Sequence, residues 1–174
     1  KRVINTGHYK PLKVEYTISP SMDIQVASNF ERLVFDVSSC NSEKTIKLMQ
    51  NLEKVGEFKV EKEELKKIKN SFFAESLSER ETKEVIHEIY KDYQILIDPH
   101  TAVGIGVIKK ISLQGNTVVL ATAHPSKFSD VVMEATGVRP ELPENLKRIL
   151  DEKESYDKLP KDLAKVKNYI SERT

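Results

Sequence analysis

The sequence lacks the features that mark several large classes of protein. Its one cysteine, Cys40, cannot form an internal disulfide, and no Cys/His spacing typical of a zinc site is present. The chain has 28 basic and 27 acidic residues, a formal net charge of +1. It therefore lacks the excess of basic residues with which proteins bind the phosphate backbone of nucleic acids. No apolar run approaches the length of a bilayer span, and there is no glycine-rich phosphate loop. These absences argue against a disulfide-stabilised protein, a metal site, a nucleic-acid binder and a membrane protein.

The composition that remains suits one packed domain with a well-solvated surface. The chain has 174 residues, of which 39% are hydrophobic and 32% are charged. It begins at Lys1, and its first methionine is Met22, so we expect it to be one piece of a longer protein. Without an apolar leader we expect a cytoplasmic location.

In the first half of the chain the hydrophobic pattern changes from a strand period to a helix period. Strict alternation over residues 13–18 predicts a half-buried strand. Helical spacing then predicts a helix from Ile24 to Val37, with Asp23 as its N-cap. Further helices are predicted over residues 41–55, ended by Gly56, over 59–70, and over 79–93 after a capping box at Ser78 and Glu81.

The second half predicts parallel strands joined by helices. Residues 95–97 and 117–121 are short apolar runs, typical of strands covered on both faces. A helix over 102–111 connects them, and its two glycines indicate close packing. Helices over 128–136 and after Pro143 and Pro160 follow. This order predicts an α/β fold with a partial, mostly parallel sheet and flanking helices, part of a larger sheet because its edges would lie open.

Polar residues follow both predicted buried strands. Asp98 and His100 come after the first strand, and Thr122 and His124 after the second. Ligands of open α/β sheets bind beyond the carboxyl ends of the strands, so the two turns should meet at one crevice. A histidine in such a turn is more often a hydrogen-bonded loop residue than a catalyst, and the pattern alone leaves both roles open.

A third polar cluster comprises residues 19–23 and the helix that follows. Asn29 and Arg32 are three residues apart and would share one face of that helix. An amide and a guanidinium fork suit a carboxylate or a phosphate. An ordinary pair of polar residues on a helix surface explains the spacing as well, so both interpretations remain.

These clusters together resemble the C-terminal portion of threonine synthase, in order and in spacing. The resemblance covers essentially the whole chain. It implies a pyridoxal-phosphate enzyme of the tryptophan-synthase-β fold type (fold type II), which converts O-phosphohomoserine and water to threonine and phosphate. The segments that carry the resemblance are Ser19–Ile24 with Ser28–Arg32, Asp98–Gly104, Ala121–Phe128 and Leu159–Leu163.

The resemblance also implies roles for individual residues. Thr122 matches the family's hydroxyl partner of the pyridine nitrogen, and Asp98 and His100 would line the cofactor crevice. Asn29 and Arg32 would lie near the phosphate or carboxylate of the substrate. The family's Schiff-base lysine and phosphate loop lie upstream of the matched region. No catalytic residue is therefore assigned here, and we expect this chain to be inactive alone.

On this interpretation the chain forms one C-terminal region in four parts, and the missing N-terminal half comes from the same chain or from a second one. Two alternatives stay open: a non-catalytic remnant that acts as a protein-binding module, and part of another pyridoxal-phosphate lyase. The four parts are a strand and substrate-facing helix over 1–40, a helical segment over 41–93, a cofactor-facing βαβα unit over 94–140, and C-terminal helices over 141–174.

Overall fold

The computed structural model of the protein describes residues 1–111, 113 and 115–173. They divide into two compact units, Lys1–Pro140 and Glu141–Thr174. The helices of the first unit are α1 (Arg2–Thr6), α2 (Phe30–Val37), α3 (Ser42–Val55), α4 (Lys62–Ser71), α5 (Glu79–Tyr93), α6 (Pro99–Ile111) and α7 (Ser129–Thr136), with 3₁₀ turns at Pro20–Met22 and Pro125–Phe128. The second unit contains a 3₁₀ helix, Glu144–Leu150, and α8 (Leu163–Ser171).

Helices α3 and α5 have the predicted bounds because local caps fix both. The Asn41 side chain accepts a hydrogen bond from the Lys44 amide at 2.9 Å, and Gly56 ends α3 at φ 85°. At the start of α5, the Ser78 hydroxyl accepts from the Glu81 amide and the Glu81 carboxylate accepts from the Ser78 amide at 2.7 Å. The predicted capping box is thereby confirmed.

Helix α2 begins six residues later than predicted, at Phe30. Asp23 does not cap it, because its carboxylate accepts hydrogen bonds from the amide and the hydroxyl of Thr17, both at 2.7 Å. Helix α4 likewise begins at Lys62, since the residues before it pair as a strand. In both cases the residues predicted to start the helix bind an earlier part of the chain instead: Asp23 binds Thr17, and β2 pairs with β1.

The predicted mostly parallel sheet is not confirmed. Within the described residues the strands are β1 (His8–Tyr9) and β2 (Phe58–Lys59), which pair antiparallel with Tyr9 opposite Phe58. Residues 13–18, 95–97 and 117–121 run as irregular backbone instead. A strand requires hydrogen bonds from a neighbouring strand, and the described residues offer none to these segments.

Two hydrophobic clusters form the interior of the first unit. In the first, the ring of Tyr9 stacks on Phe58 with 5.0 Å between centroids. In the second, α5 packs against α6 and α7 around Ile86 and Ala102, which are fully buried. Burying an Ile or Phe side chain stabilises a fold by about 1.5–3 kcal/mol, so these contacts hold the helices together. The buried members of the first cluster are Tyr9, Val34, Val37, Phe58, Val60 and Ile68.

Among the residues that the structure describes, no helix combines the length and the apolar character needed to cross a membrane.

Candidate functional site

The candidate site is built on Asp98, which directly precedes α6 and is only 1% exposed. Its Oδ1 accepts hydrogen bonds from the amide of His100 at 2.9 Å and from the Nδ1 of that ring at 2.8 Å. Its Oδ2 accepts from the hydroxyl of Thr101. A carboxylate in this position caps the helix and is favoured by the helix dipole. Asp98 thus fixes the first turn of α6.

His100 connects this turn to two other segments. Its Nε2 accepts a hydrogen bond from the Ser21 amide at 3.2 Å, across 79 residues of sequence. Its ring also packs on Phe128, with 4.8 Å between ring centroids and 55° between the planes. We call this set of four residues, Ser21, Asp98, His100 and Phe128, the His100 junction. It brings together the 19–23 cluster, the first turn of α6 and the 3₁₀ turn that follows Thr122 and His124.

Thr122 lies in exposed irregular chain before the 3₁₀ turn Pro125–Phe128. Its hydroxyl makes no hydrogen bond to any residue within the described ranges. Two residues later, His124 closes the turn on itself: its Nδ1 accepts from the Ser126 amide at 3.2 Å and lies 2.7 Å from the Ser126 hydroxyl. The Thr122 hydroxyl is therefore available to a partner from outside, whereas Ser126 is already engaged.

Asn29 and Arg32 lie elsewhere in the first unit, in a cleft between α2 and α3. The cleft has a volume of about 390 Å³, and both side chains are exposed. Arg32 has no carboxylate partner within 4 Å among the described residues. No residue of the His100 junction belongs to the cleft lining, which consists of Ser28, Asn29, Glu31, Arg32, Phe35, Ser42, Thr45 and Ile46.

Sequence reasoning missed two members of this arrangement. Thr101 stands three residues after Asp98, the usual spacing for a helix cap, and that signal could have identified it. The sequence predicts Phe128 as the first residue of a helix and the last residue of a segment that carries the resemblance, and nothing in the sequence connects its ring to His100. The Ser21 contact is made by a backbone amide, so residue type carries no information about it.

Comparison with known proteins shows which family the chain resembles. Residues 101–170 match the family model described as "Threonine synthase, C-terminal". An alignment with the threonine synthase of Pseudomonas aeruginosa is 35% identical and covers 98% of this chain. The chain is similar over nearly all of its length to threonine synthases, and its residues 101–170 match the C-terminal part of that family. The predicted resemblance is thus confirmed, and the chain spans about 37% of the length of that curated relative.

Two solved threonine synthases share the fold of the chain. The PLP-bound enzyme from Brucella melitensis superposes with a TM-score of 0.84 at 38% identity, covering 98% of this chain and 37% of that one. The yeast enzyme gives a TM-score of 0.79 at 32% identity, covering 98% and 39%. The fold therefore corresponds to part of these threonine synthases.

Proposed function

We propose that this chain is the C-terminal part of a threonine synthase that converts O-phosphohomoserine and water to threonine and phosphate with pyridoxal phosphate. The observation that supports this most is the His100 junction. It joins three of the four segments that carry the family resemblance, so groups that are far apart in the sequence meet at one place in the fold. The similarity to threonine synthases over nearly the whole chain supports the same conclusion.

The residues around Thr122 fit one side of a pyridoxal phosphate site. The bound cofactor supplies an electron sink, which makes C–H bonds of an attached amino acid acidic. The exposed Thr122 hydroxyl, with no partner among the described residues, would hydrogen-bond the ring nitrogen. A neutral hydroxyl stabilises a protonated ring less than a carboxylate does, which suits elimination and replacement. Asp98 and His100 would form a wall of the same crevice.

Asn29 and Arg32 would bind the anionic groups of the substrate. Both line the cleft between α2 and α3, and Arg32 presents a guanidinium that is not paired within the described part of the chain. A guanidinium can hold a phosphate or a carboxylate with two parallel hydrogen bonds, and an adjacent amide adds a third. Glu31 in the same lining would repel a second anion and so limit how the substrate is oriented.

The remaining parts of the enzyme would come from an N-terminal portion, in the same chain or in a second one. That portion would supply the lysine that binds the cofactor, its phosphate loop, and the strands that pair with residues 95–97 and 117–121 to form the mostly parallel sheet. The exposed apolar side chains of Val118 and Leu120 support this, since they are 84% and 74% exposed. We expect the complete enzyme to be cytoplasmic and the 174-residue chain to be inactive alone.

A chimera tests the proposal. The N-terminal part of the Pseudomonas aeruginosa enzyme, up to the start of its match with this chain, is fused to residues 1–174, and phosphate release from O-phosphohomoserine is measured. We expect turnover by the chimera and none by either part alone. A chimera that folds and binds pyridoxal phosphate but releases no phosphate would contradict the proposal. So would the absorbance of lysine-bound cofactor in the 174-residue chain by itself.

The same exposed apolar residues favour a second function, a non-catalytic module that binds another protein. This alternative expects a discrete monomer or homodimer that does not associate with the N-terminal part, and sedimentation of the two parts together distinguishes the cases. Another pyridoxal-phosphate lyase would instead give a chimera that binds the cofactor and turns over a different amino acid.

A further inference from the structure

The hydrogen bonds of the His100 ring determine which of its two nitrogens carries the proton. A backbone amide can only donate, so the Nε2 that faces the Ser21 amide at 3.2 Å must carry a lone pair. The neutral ring then carries its proton on Nδ1, which lies 2.8 Å from Oδ1 of Asp98. Both nitrogens are thereby occupied, and the side chain is only 5% exposed. A ring bound in this way has no free nitrogen with which to exchange a proton with a substrate.

The segment held by His100 is itself well connected. In the loop formed by residues 19–23, the amide of Ser19 donates to the Thr17 hydroxyl at 3.1 Å, and Asp23 binds Thr17 through two hydrogen bonds. On its other side, the amide of Ile18 donates to a carboxylate oxygen of Glu79 at 3.0 Å. These hydrogen bonds connect the loop internally; His100 attaches it to α6, and Glu79 attaches the adjoining Ile18 to α5.

The loop also shapes a cavity. Ser19, Met22 and Asp23 line a cleft of about 250 Å³ whose opposite walls include Leu77 and Val103. Ser21 and Met22 themselves are exposed. A displacement of the loop would change this cleft and move the exposed side chains of Ser21 and Met22, although the hydrogen bond to His100 comes from the backbone amide of Ser21.

We propose that His100 is a positioning residue, which as the neutral Nδ1–H tautomer holds the Ser19–Asp23 loop against the first turn of α6 and takes no part in proton transfer. The physical reason is the arrangement of three contacts on one buried ring: an acceptor for Ser21, a donor to Asp98, and a face packed on Phe128. The consequence for substrate binding rests on the proposed function, whereas the tautomer and the loop attachment do not.

Nuclear magnetic resonance of the 174-residue chain tests the tautomer without any substitution. In a sample with ¹⁵N-labelled histidine at neutral pH, long-range proton–nitrogen spectra distinguish a protonated ring nitrogen from one with a lone pair. We expect a protonated Nδ1 and a lone pair on Nε2 for His100, assigned by the loss of its signals in His100→Gln. The opposite tautomer, or a doubly protonated ring, would overturn the proposal.

Hydrogen exchange at the Ser21 amide tests the attachment. An Asn side chain at position 100 would keep a donor near Asp98 but would not reach Ser21, whereas Gln would place an acceptor near the position of Nε2. We expect His100→Asn to speed exchange of the Ser21 amide about fivefold or more, through loss of one hydrogen bond, and His100→Gln to restore most of the protection. The control is His124→Gln, at the exposed histidine of the other turn, which should leave Ser21 unchanged. Equal exchange in all three variants would overturn the attachment.

Kinetics of the chimera test the consequence. If His100 positions the loop, His100→Asn should raise KM for O-phosphohomoserine at least fivefold with kcat changed by less than about threefold, and His100→Gln should recover the loss. A fall in kcat alone would identify a proton-transfer role and contradict the proposal. An inactive wild-type chimera would count against the proposed function, and the resonance and exchange results on the 174-residue chain would still decide the role of His100.

Discussion

A methyl group at Gly106 would lie 2.2 Å from Cδ2 of Leu77, closer than any carbon contact allows. The side chain of Leu77, just before α5, therefore occupies the space that a Cβ at Gly106 would need. Leu77 is partly buried against the second hydrophobic cluster, so turning its side chain away would give up contacts there. The sequence predicts close packing at both glycines of α6, and of the two the space around Gly106 is the tighter.

We expect Gly106→Ala to lower the free energy of unfolding by about 1–2 kcal/mol, because overpacking exceeds the gain of about 1 kcal/mol in helix propensity. In a Leu77→Ala background the clash is absent, so the same substitution should become stabilising. Urea unfolding of the four proteins of this double-mutant cycle measures both effects. The control is Gly104→Ala, whose added methyl would lie 3.1 Å from Val119 and should cost less. A Gly106→Ala protein as stable as the parent would contradict the packing argument.

Helices α3 and α4 are joined by an ion pair with one buried partner. Glu64 is 5% exposed, and its Oε1 lies 2.5 Å from the Nζ of Lys44, whose pKa it raises. Lys44→Met would leave the carboxylate buried without a cation, and we expect a loss of about 1–3 kcal/mol in the free energy of unfolding. Adding Glu64→Gln, which keeps an acceptor for the backbone amide of Glu61 at the start of α4, should recover part of this loss. Lys47→Met on the exposed side of α3 is the control, and an equal loss there would contradict the prediction.

Stability at acid pH should depend on Glu81. The Lys110 ammonium, with the amide and hydroxyl of Ser78, lowers the pKa of this carboxyl from 4.5 to about 2. A carboxyl with a lowered folded-state pKa stabilises the fold above its unfolded pKa, and this contribution is lost as pH falls from 4.5 to about 2. We therefore expect wild type to have a higher urea midpoint than Glu81→Gln above about pH 4.5. The difference between the two midpoints should disappear as the pH falls towards 2.

The matched control for Glu81 is Glu84→Gln, on the same helix, whose only ionic partner among the described residues is Arg80 at 3.5 Å. It removes the same charge from α5, so its urea midpoints should follow those of wild type across the acid range. A Glu84→Gln protein that converges with wild type as Glu81→Gln does would show that total charge, rather than the Lys110 and Ser78 contacts, is responsible.

Substitution of Thr122 tests the cofactor contact in the chimera. Thr122→Val keeps the shape of the side chain and removes the hydroxyl, so one hydrogen bond to a charged ring would be lost. We expect kcat/KM to fall by about 10- to 100-fold. Thr117→Val, in the same exposed segment, should have little effect. Equal activities for the two variants would remove Thr122 from the site.

Substitution of Arg32 tests the anion contact. Lysine keeps the charge but cannot form two parallel hydrogen bonds, so Arg32→Lys in the chimera should raise KM for O-phosphohomoserine by about tenfold, with a smaller change in kcat. The control is Arg80→Lys, at an exposed arginine of α5. An unchanged KM in Arg32→Lys would mean that the cleft between α2 and α3 does not bind the substrate.

The sequence determined the features that depend on neighbouring residues. The caps of α3 and α5 and the glycine after α3 are contacts over three or four positions, so residue type and spacing were enough to place them. The prediction that Asp23 caps a helix was wrong, although it used the same local spacing, because the carboxylate of Asp23 binds Thr17 instead. The apolar runs at 95–97 and 117–121 indicate segments that tend to be buried. A strand also needs a neighbouring strand to hydrogen-bond with, and the local sequence does not show whether one is present.

Tertiary structure alone decided the His100 junction and the separation of the two candidate binding regions. The clustering of Asp98, His100 and Thr101 was open to prediction because one helix cap holds it. The contact between His100 and the Ser21 amide was not, because it spans 79 residues and involves a backbone group that every residue except proline carries. Packing of α2 against α3 likewise placed Asn29 and Arg32 in a cleft whose lining excludes the His100 junction. Sequence spacing fixes which face of a helix a side chain occupies, whereas the packing of the helices determines what that face meets.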